Sequence, residues 1–283
     1  MTSSKLALTA IVVGAAIHMG PPAHAQDNVQ LPGYQKDVES REGGDDWAIV
    51  VGAGAAYGPK FVGAEDSETV AFPYLSITYR NRFFLDARQG LGFFAINNED
   101  GVAGIAVGAG PARDSKDDRR LFDGVDDIDS GAALRVFGSK TLGVVEASGA
   151  VTRTSGDVEG TTLDLGLGTG LPLGETTFVG LSVGATWADE DYLNGLFGVT
   201  AAQAQRRATQ RLTQPNLTPL RAFEPESGFH QASVELSFTH VMAEKWVLTA
   251  SVGYSQLLGD AADSPFVREV GAPSGALVLL RSF

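Results

Sequence analysis

The chain of 283 residues contains no cysteine. That excludes a disulfide framework and any thiolate metal site. It also closes the lipoprotein route to a membrane, which needs a cysteine to carry the lipid. Beyond the first 25 residues no apolar run approaches the roughly 20 residues a spanning helix requires. Histidine is scarce: there are four, of which His18 and His24 lie near the start, leaving His230 and His240. Basic residues are in deficit, 21 Lys and Arg against 34 Asp and Glu, for a net charge of −13. An acidic surface repels phosphate backbones, so nucleic acid is excluded as a partner.

The two ends of the chain give its address. Lys5 opens a weakly positive start, Leu6 to Ile17 is apolar, and Ala23-His24-Ala25 has the small-x-small form of a cleavage site. Residues 1–25 are therefore read as a secretory signal peptide, its apolar core too short to span as a helix. At the other end, Ser274 to Phe283 is long enough to cross an outer membrane as one tilted strand, and it closes on an aromatic residue. A terminal aromatic on such a strand is what assembly factors of Gram-negative barrels are expected to read.

Between these ends the sequence alternates with period two, the signature of a pleated strand. Trp246, Leu248, Ala250, Val252 and Tyr254 form one face, and Thr249, Ser251, Gly253 and Ser255 the other. Trp47, Ile49, Val51, Ala53, Ala55 and Tyr57 repeat that arrangement, with a ring at each end of the apolar face. Rings so placed suit the two lipid–water interfaces. Leu163 to Gly168, Val179 to Trp187 and Ala232 to Thr239 show the same polarity. With a mean hydropathy of +0.02 and no spanning helix, a membrane protein of this composition must be a closed barrel.

Strands are predicted at 47–57, 69–79, 82–87, 91–97, 102–110, 131–138, 142–152, 161–171, 176–188, 230–240, 246–256 and 274–283. The connections alternate in length. Long segments (111–130, 189–229, 257–273) are expected outside the cell, and tight turns (Arg80-Asn81, Ser139-Lys140, Pro172-Leu173-Gly174, Ala243-Glu244) in the periplasm. The expectation is an all-β, transmembrane antiparallel up-and-down β-barrel of about 12 strands over 47–283. Residues 26–46 precede it as a flexible periplasmic leader, and the even strand count returns Phe283 to the periplasm.

No residue set demands catalysis. Gly52-Ala-Gly54 lacks the third glycine and the helix of a dinucleotide fingerprint. Asp114, Asp117, Asp118, Asp123, Asp126, Asp127 and Asp129 crowd one loop; calcium is conceivable there, but the spacing and the missing bidentate Glu do not match an EF-hand, and a solvated loop is the simpler reading. His230 and His240 stand at opposite ends of one predicted strand, too far apart to share a metal. No serine spacing singles out a hydrolase triad. Ala201 to Leu212 is the one convincing helix, inside the longest loop, and is read as solvated. Alternatively Arg206, Arg207 and Arg211 meet lipopolysaccharide phosphates or fold inward. No catalytic, cofactor-binding or metal residue is assigned.

Several segments together resemble a known family. Gly52-x-Gly54 with Tyr57-Gly-Pro-Lys-Phe-Val-Gly-Ala64 is similar to an N-terminal "G-x-G … P-x-Y-x-G-S" hairpin. Phe72-Pro73-Tyr74, Arg82-Phe83-Phe84-Leu85, Gly90-Leu91-Gly92 and Leu196-Phe-Gly-Val-Thr-Ala-Ala-Gln-Ala204 follow in the familiar order. Leu257-Leu-Gly-Asp-Ala-Ala-Asp-Ser-Pro-Phe-Val267 is the most specific piece. The chain thus resembles the MipA/OmpV family of outer-membrane proteins, with two departures: Ala64 replaces a serine, and Arg281 replaces the first ring of a terminal aromatic-x-Phe.

The resemblance implies a non-enzymatic scaffold for murein hydrolase and synthase proteins. The rival is a channel, receptor or adhesin acting in osmotic or antibiotic response. In that case Asp164, Glu235 and Glu146 would line a cation-selective lumen. The expected partners are outer-membrane lipid and lipopolysaccharide, the barrel assembly machinery through Phe283, and the murein enzymes.

Overall fold

A computed structural model describes residues 46–283; the predicted signal peptide and all of the leader but Asp46 lie outside the described residues. Twelve antiparallel strands close on themselves, each paired with its neighbour in sequence and the last with the first. They are β1 (Trp47–Pro59), β2 (Ser67–Tyr79), β3 (Phe83–Asp86), β4 (Gly90–Asn98), β5 (Gly101–Ala109) and β6 (Ala132–Leu142). The second half holds β7 (Val145–Thr154), β8 (Gly160–Pro172), β9 (Thr177–Ala188), β10 (Gly228–Ala243), β11 (Trp246–Leu257) and β12 (Gly271–Ser282). Closure runs from Val50 opposite Ser282 to Tyr57 opposite Gly275. It leaves no free sheet edge at the seam, as hydrocarbon requires.

Strand parity sorts the side chains as the alternation predicts. Val51, Leu75, Leu165, Leu181, Leu236 and Leu277 point outward and are exposed, a continuous apolar surface that only lipid can cover. Glu235, Ser237, Thr249 and Ser251 on the alternate positions point inward and are buried. The aromatic brackets stand at the ends of the outward face: Trp47 against Tyr79 (ring centroids 4.5 Å apart) and Trp246 at the turn end, Tyr57 and Tyr254 at the loop end.

The turns follow local chemistry. Arg80 and Asn81 both take positive φ (52° and 53°), the backbone of a type I′ hairpin turn. Asp46 steadies this turn, its carbonyl accepting from Arg80 N–H (2.6 Å) and its carboxylate from the guanidinium (2.9 Å). One predicted turn is misplaced. Ser139-Lys140 lies within β6, Ser139 inward and Lys140 outward, and the chain reverses at Gly143-Val144. Gly143 takes φ 69°, which a glycine adopts without the strain a side chain would bring.

The split of 82–97 into two strands holds, but β3 has only four residues. Its pairing with β2 stops at Asp86 opposite Ser76, followed by Ala87 N–H donating to Leu75 O (2.9 Å). Ser67 to Tyr74 of β2 therefore face no strand on that side, about 26 Å of strand edge at the loop end. Pro73 sits on this stretch, where its missing N–H costs no ladder bond.

Inside the β3–β7 wall, Phe84, Phe94 and Phe137 stack on Val102, Ala106 and Ala150. Gly92 and Gly104 make room for them: a Cβ on Gly92 would stand 2.2 Å from the Phe84 ring, and one on Gly104 2.7 Å from Phe137. Gly92→Val is expected to destabilise the folded barrel by about 1–3 kcal/mol through overpacking. Gly149→Ala, whose Cβ meets nothing closer than 3.4 Å, should stay within about 0.5 kcal/mol. Urea unfolding in lipid, followed by heat-modifiable gel mobility, measures both; equal midpoints for the two variants would contradict this packing.

Candidate functional site: a braced cap over the loop end

The connections at the loop end carry four short helices: α1 (Arg119–Phe122), α2 (Glu190–Phe197), α3 (Ala201–Gln210) and α4 (Gly259–Ala262). Together they build a second hydrophobic core above the lumen. Phe61 from the β1–β2 loop packs edge-on against Phe122 of α1 (4.8 Å), and Phe122 against Phe266 from the β11–β12 loop (5.4 Å). Val199 and Ala64 complete this cluster. A neighbouring cluster joins Tyr192, Leu193 and Phe197 of α2 to Ile128, Val158 and Ala261. Five connections distant in sequence thus share one interior.

Two arginines brace that interior. Arg207 of α3 is 1 % exposed. Its Nη1 donates to the carbonyls of Thr218 (2.6 Å) and Arg120 (3.4 Å), and its Nη2 to those of Leu121 (2.7 Å) and Asp123 (2.9 Å). These include carbonyls at the end of α1 that have no partner within that short helix. Burial draws the Arg207 pKa below its ordinary value, against the pull of Asp123. Arg113 lies between rings, 4.6 Å from Phe122 and 4.7 Å from Phe266, and donates to the Leu196 carbonyl (2.8 Å). Burial lowers its pKa to about 10, against the raising influence of Asp127 and Asp117.

The structure gives each sequence candidate a place. The loop carboxylates mostly cap backbone. Asp118 accepts from the N–H groups of Arg120 and Leu121, Asp127 from Ser115 (2.7 Å) and Asp114 from Lys116 (2.8 Å). Asp126 pairs with Arg206 (3.3 Å). The predicted helix exists but ends at Gln210, two residues early, and opens with a Thr200–Gln203 capping box. Its reading as a solvated helix needs correction at Arg207, which turns into the cap, and at Arg211, whose Nε donates to the Leu217 carbonyl (3.0 Å). His230 is buried beside Tyr192 and Phe197 (6.0 and 6.2 Å) at a bulge of β10. His240 lies on the outward face at the turn end, bonded to Thr177 (2.9 Å) and stacked on Phe238. The two imidazoles stay apart, as expected.

The Gly-Asp-Ala-Ala-Asp-Ser-Pro segment has a structural role. Ser264 Oγ donates to the Phe197 carbonyl (2.7 Å) and accepts from Phe266 N–H (3.2 Å). Asp260 accepts from Glu226 N–H (2.8 Å), and Gly63 O accepts from Arg268 and Glu269. Sequence reasoning missed Arg113 and Phe122, and named Arg207 only as an alternative to a solvated helix. The apolar pair Leu121-Phe122 inside an acidic loop was the available signal.

Asp164, Glu235 and Glu146 face the lumen as predicted, Asp164 accepting from Thr186 Oγ1 (2.9 Å). Arg135 of β6 shares that interior, alternating with outward Leu134 and Val136, so the wall carries both signs of charge.

A closed wall with an apolar exterior, a polar and aromatic interior and a packed cap defines an outer-membrane β-barrel protein. Residues 51–283 match the family model described as MltA-interacting protein MipA, and the chain belongs to that family. No curated protein sequence matches it. Among solved structures it is similar to the COG4313 outer membrane channel from Pseudomonas putida F1 (12 % identity, 87 % of this chain, 98 % of that one, TM-score 0.41). It is also similar to the outer membrane channel DcaP of Acinetobacter baumannii (8 % identity, 84 % and 96 % of the chains, TM-score 0.39).

Arg207→Met removes the donors from four carbonyls at once and should destabilise the cap by about 3–5 kcal/mol. Hydrogen exchange is expected to show α1 and α3 losing protection while β7 to β12 keep theirs. Unchanged protection of α3 would mean that Arg207 does not brace it.

Proposed function

We propose that the protein is a non-enzymatic outer-membrane platform that holds murein hydrolases and synthases against the membrane through its turn end. The observation that carries this reading is the cap. A loop end packed by two hydrophobic clusters and two enclosed arginines is built to stay shut, which disfavours a steady pore. The turn end, with Arg80-Asn81, Gly143-Val144 and Glu244-Lys245, then faces the periplasm together with the leader. Membership of a family described by interaction with MltA supports the same choice.

The rival reading keeps one specific support, the lumen-facing Asp164, Glu235 and Glu146. A pore formed by movement of the cap would select cations by those carboxylates. Affinity capture from detergent-solubilised envelope should recover a lytic transglycosylase or a murein synthase, less of it when residues 26–46 are deleted. Recovery of neither, with or without the leader, would sink the platform. Planar-bilayer recording should show no steps, whereas discrete cation-selective steps would favour the rival.

A further inference from the structure

Arg281 stands on the outward face of β12, in line with the exposed Leu277 and Leu279. Its cross-strand neighbours are Val51 of β1 and Trp246 of β11, and Leu279 precedes it on the same face. Its guanidinium lies 4.7 Å from the Phe283 ring and 5.4 Å from the Trp246 ring. Phe283 is pinned by its N–H, which donates to the Ile49 carbonyl (2.9 Å), and Ser282 N–H donates to the Lys245 carbonyl (3.0 Å). Lys245, exposed in the β10–β11 turn that it shares with Glu244, therefore sits beside the end of β12.

Two other cations near the outward face are paired within the protein. Arg80 pairs with Asp46 (2.9 Å) and Arg153 with Asp189 (3.5 Å). Lys140 lies between Gly101 and Ala147, with no ring opposite it. Among the described residues Arg281 pairs with no carboxylate, and its contacts are with aromatic rings. Ring contacts attract the charge but satisfy none of five N–H donors. A guanidinium among outward apolar side chains is costly in hydrocarbon and tolerated only where an interface is in reach. The Trp246 indole N–H, a donor only, belongs at the same interface.

We propose that Arg281, Lys245 and Trp246 form a binding site for the phosphate of an anionic phospholipid in the leaflet surrounding the turn end. Arg281 supplies a flat fork of donors matched to phosphate oxygens, held in place by the two rings. Lys245 adds charge from the turn. The lipid chains lie along Leu279, Leu277 and Val51 on the barrel wall. The inference rests on the outer-membrane location alone and is independent of the murein partners.

The full chain in lipid nanodiscs tests this, carrying Trp47→Phe and Trp187→Phe so that Trp246 is the sole tryptophan. Brominated phosphatidylglycerol should quench Trp246 at about fivefold lower mole fraction than brominated phosphatidylcholine. Arg281→Gln with Lys245→Gln should bring the two lipids level, and Arg281→Lys, which keeps the charge but loses the fork, should retain only part of the preference. Lys245→Gln alone, which leaves the wall intact, should lower it about twofold. Equal quenching by the two lipids in the parent, a preference that survives in the double glutamine variant, or one left undiminished by Lys245→Gln would overturn the site. Heat-modifiable gel mobility confirms that each variant is folded.

Discussion

Inside a bilayer no water is present to satisfy backbone N–H and C=O groups, so the strand ladder must close on itself. That constraint organises this molecule. The seam between β1 and β12 meets it, and the even strand number brings Phe283 back beside Ile49. Once the wall is closed, every strand has one face in lipid and one in the lumen. The lumen must then be filled, hydrated or covered.

Here one side of the lumen is filled with aromatic rings from β3, β4 and β6, seated against glycines. Another side keeps polar and charged groups, and the loop end is covered by a core of its own. The cap is an unusual solution because enclosed arginines hold it. A guanidinium taken out of water is unfavourable unless its donors are met. Arg207 meets four carbonyls from two loops, so the cost of burying it ties those loops into one unit. The family-like segments around 58–64, 196–204 and 257–267 meet in the same cap through Phe61 and Ala64, Phe197 and Val199, and Ala261 and Phe266. Each contributes one side of the cap, and their glycines and Ser264 satisfy backbone there.

The wall was legible in the sequence because its rule is local. A period of two, bracketing aromatics and loop-length parity identify strands without knowledge of their partners. The error at Ser139-Lys140 arose because a polar pair looks like a turn, while Gly143, three residues beyond Lys140 and just past the end of β6, holds the positive φ. The cap was not legible, because its rule is non-local. Arg207 on a Gln- and Arg-rich helix looks solvated until the carbonyls of α1, 86 residues away in the chain, are placed above it. The acidic loop was read as solvated, with calcium only conceivable, whereas several of its carboxylates cap the backbone of the loop itself. Arg281 was legible as a departure from the family pattern, but only the fold puts two rings beside it.

A cap packed in this way should separate the lumen from the medium beyond the loop end. A chain without native cysteine allows a direct measurement. A single cysteine at Ser237, buried on the lumen face of β10, is exposed on intact cells to a membrane-impermeant maleimide. Leu212→Cys, 84 % exposed in the wild type, serves as the reference. Prompt labelling of the cysteine at 212 and none at 237 over the same interval is expected. Labelling of both at similar rates would contradict it.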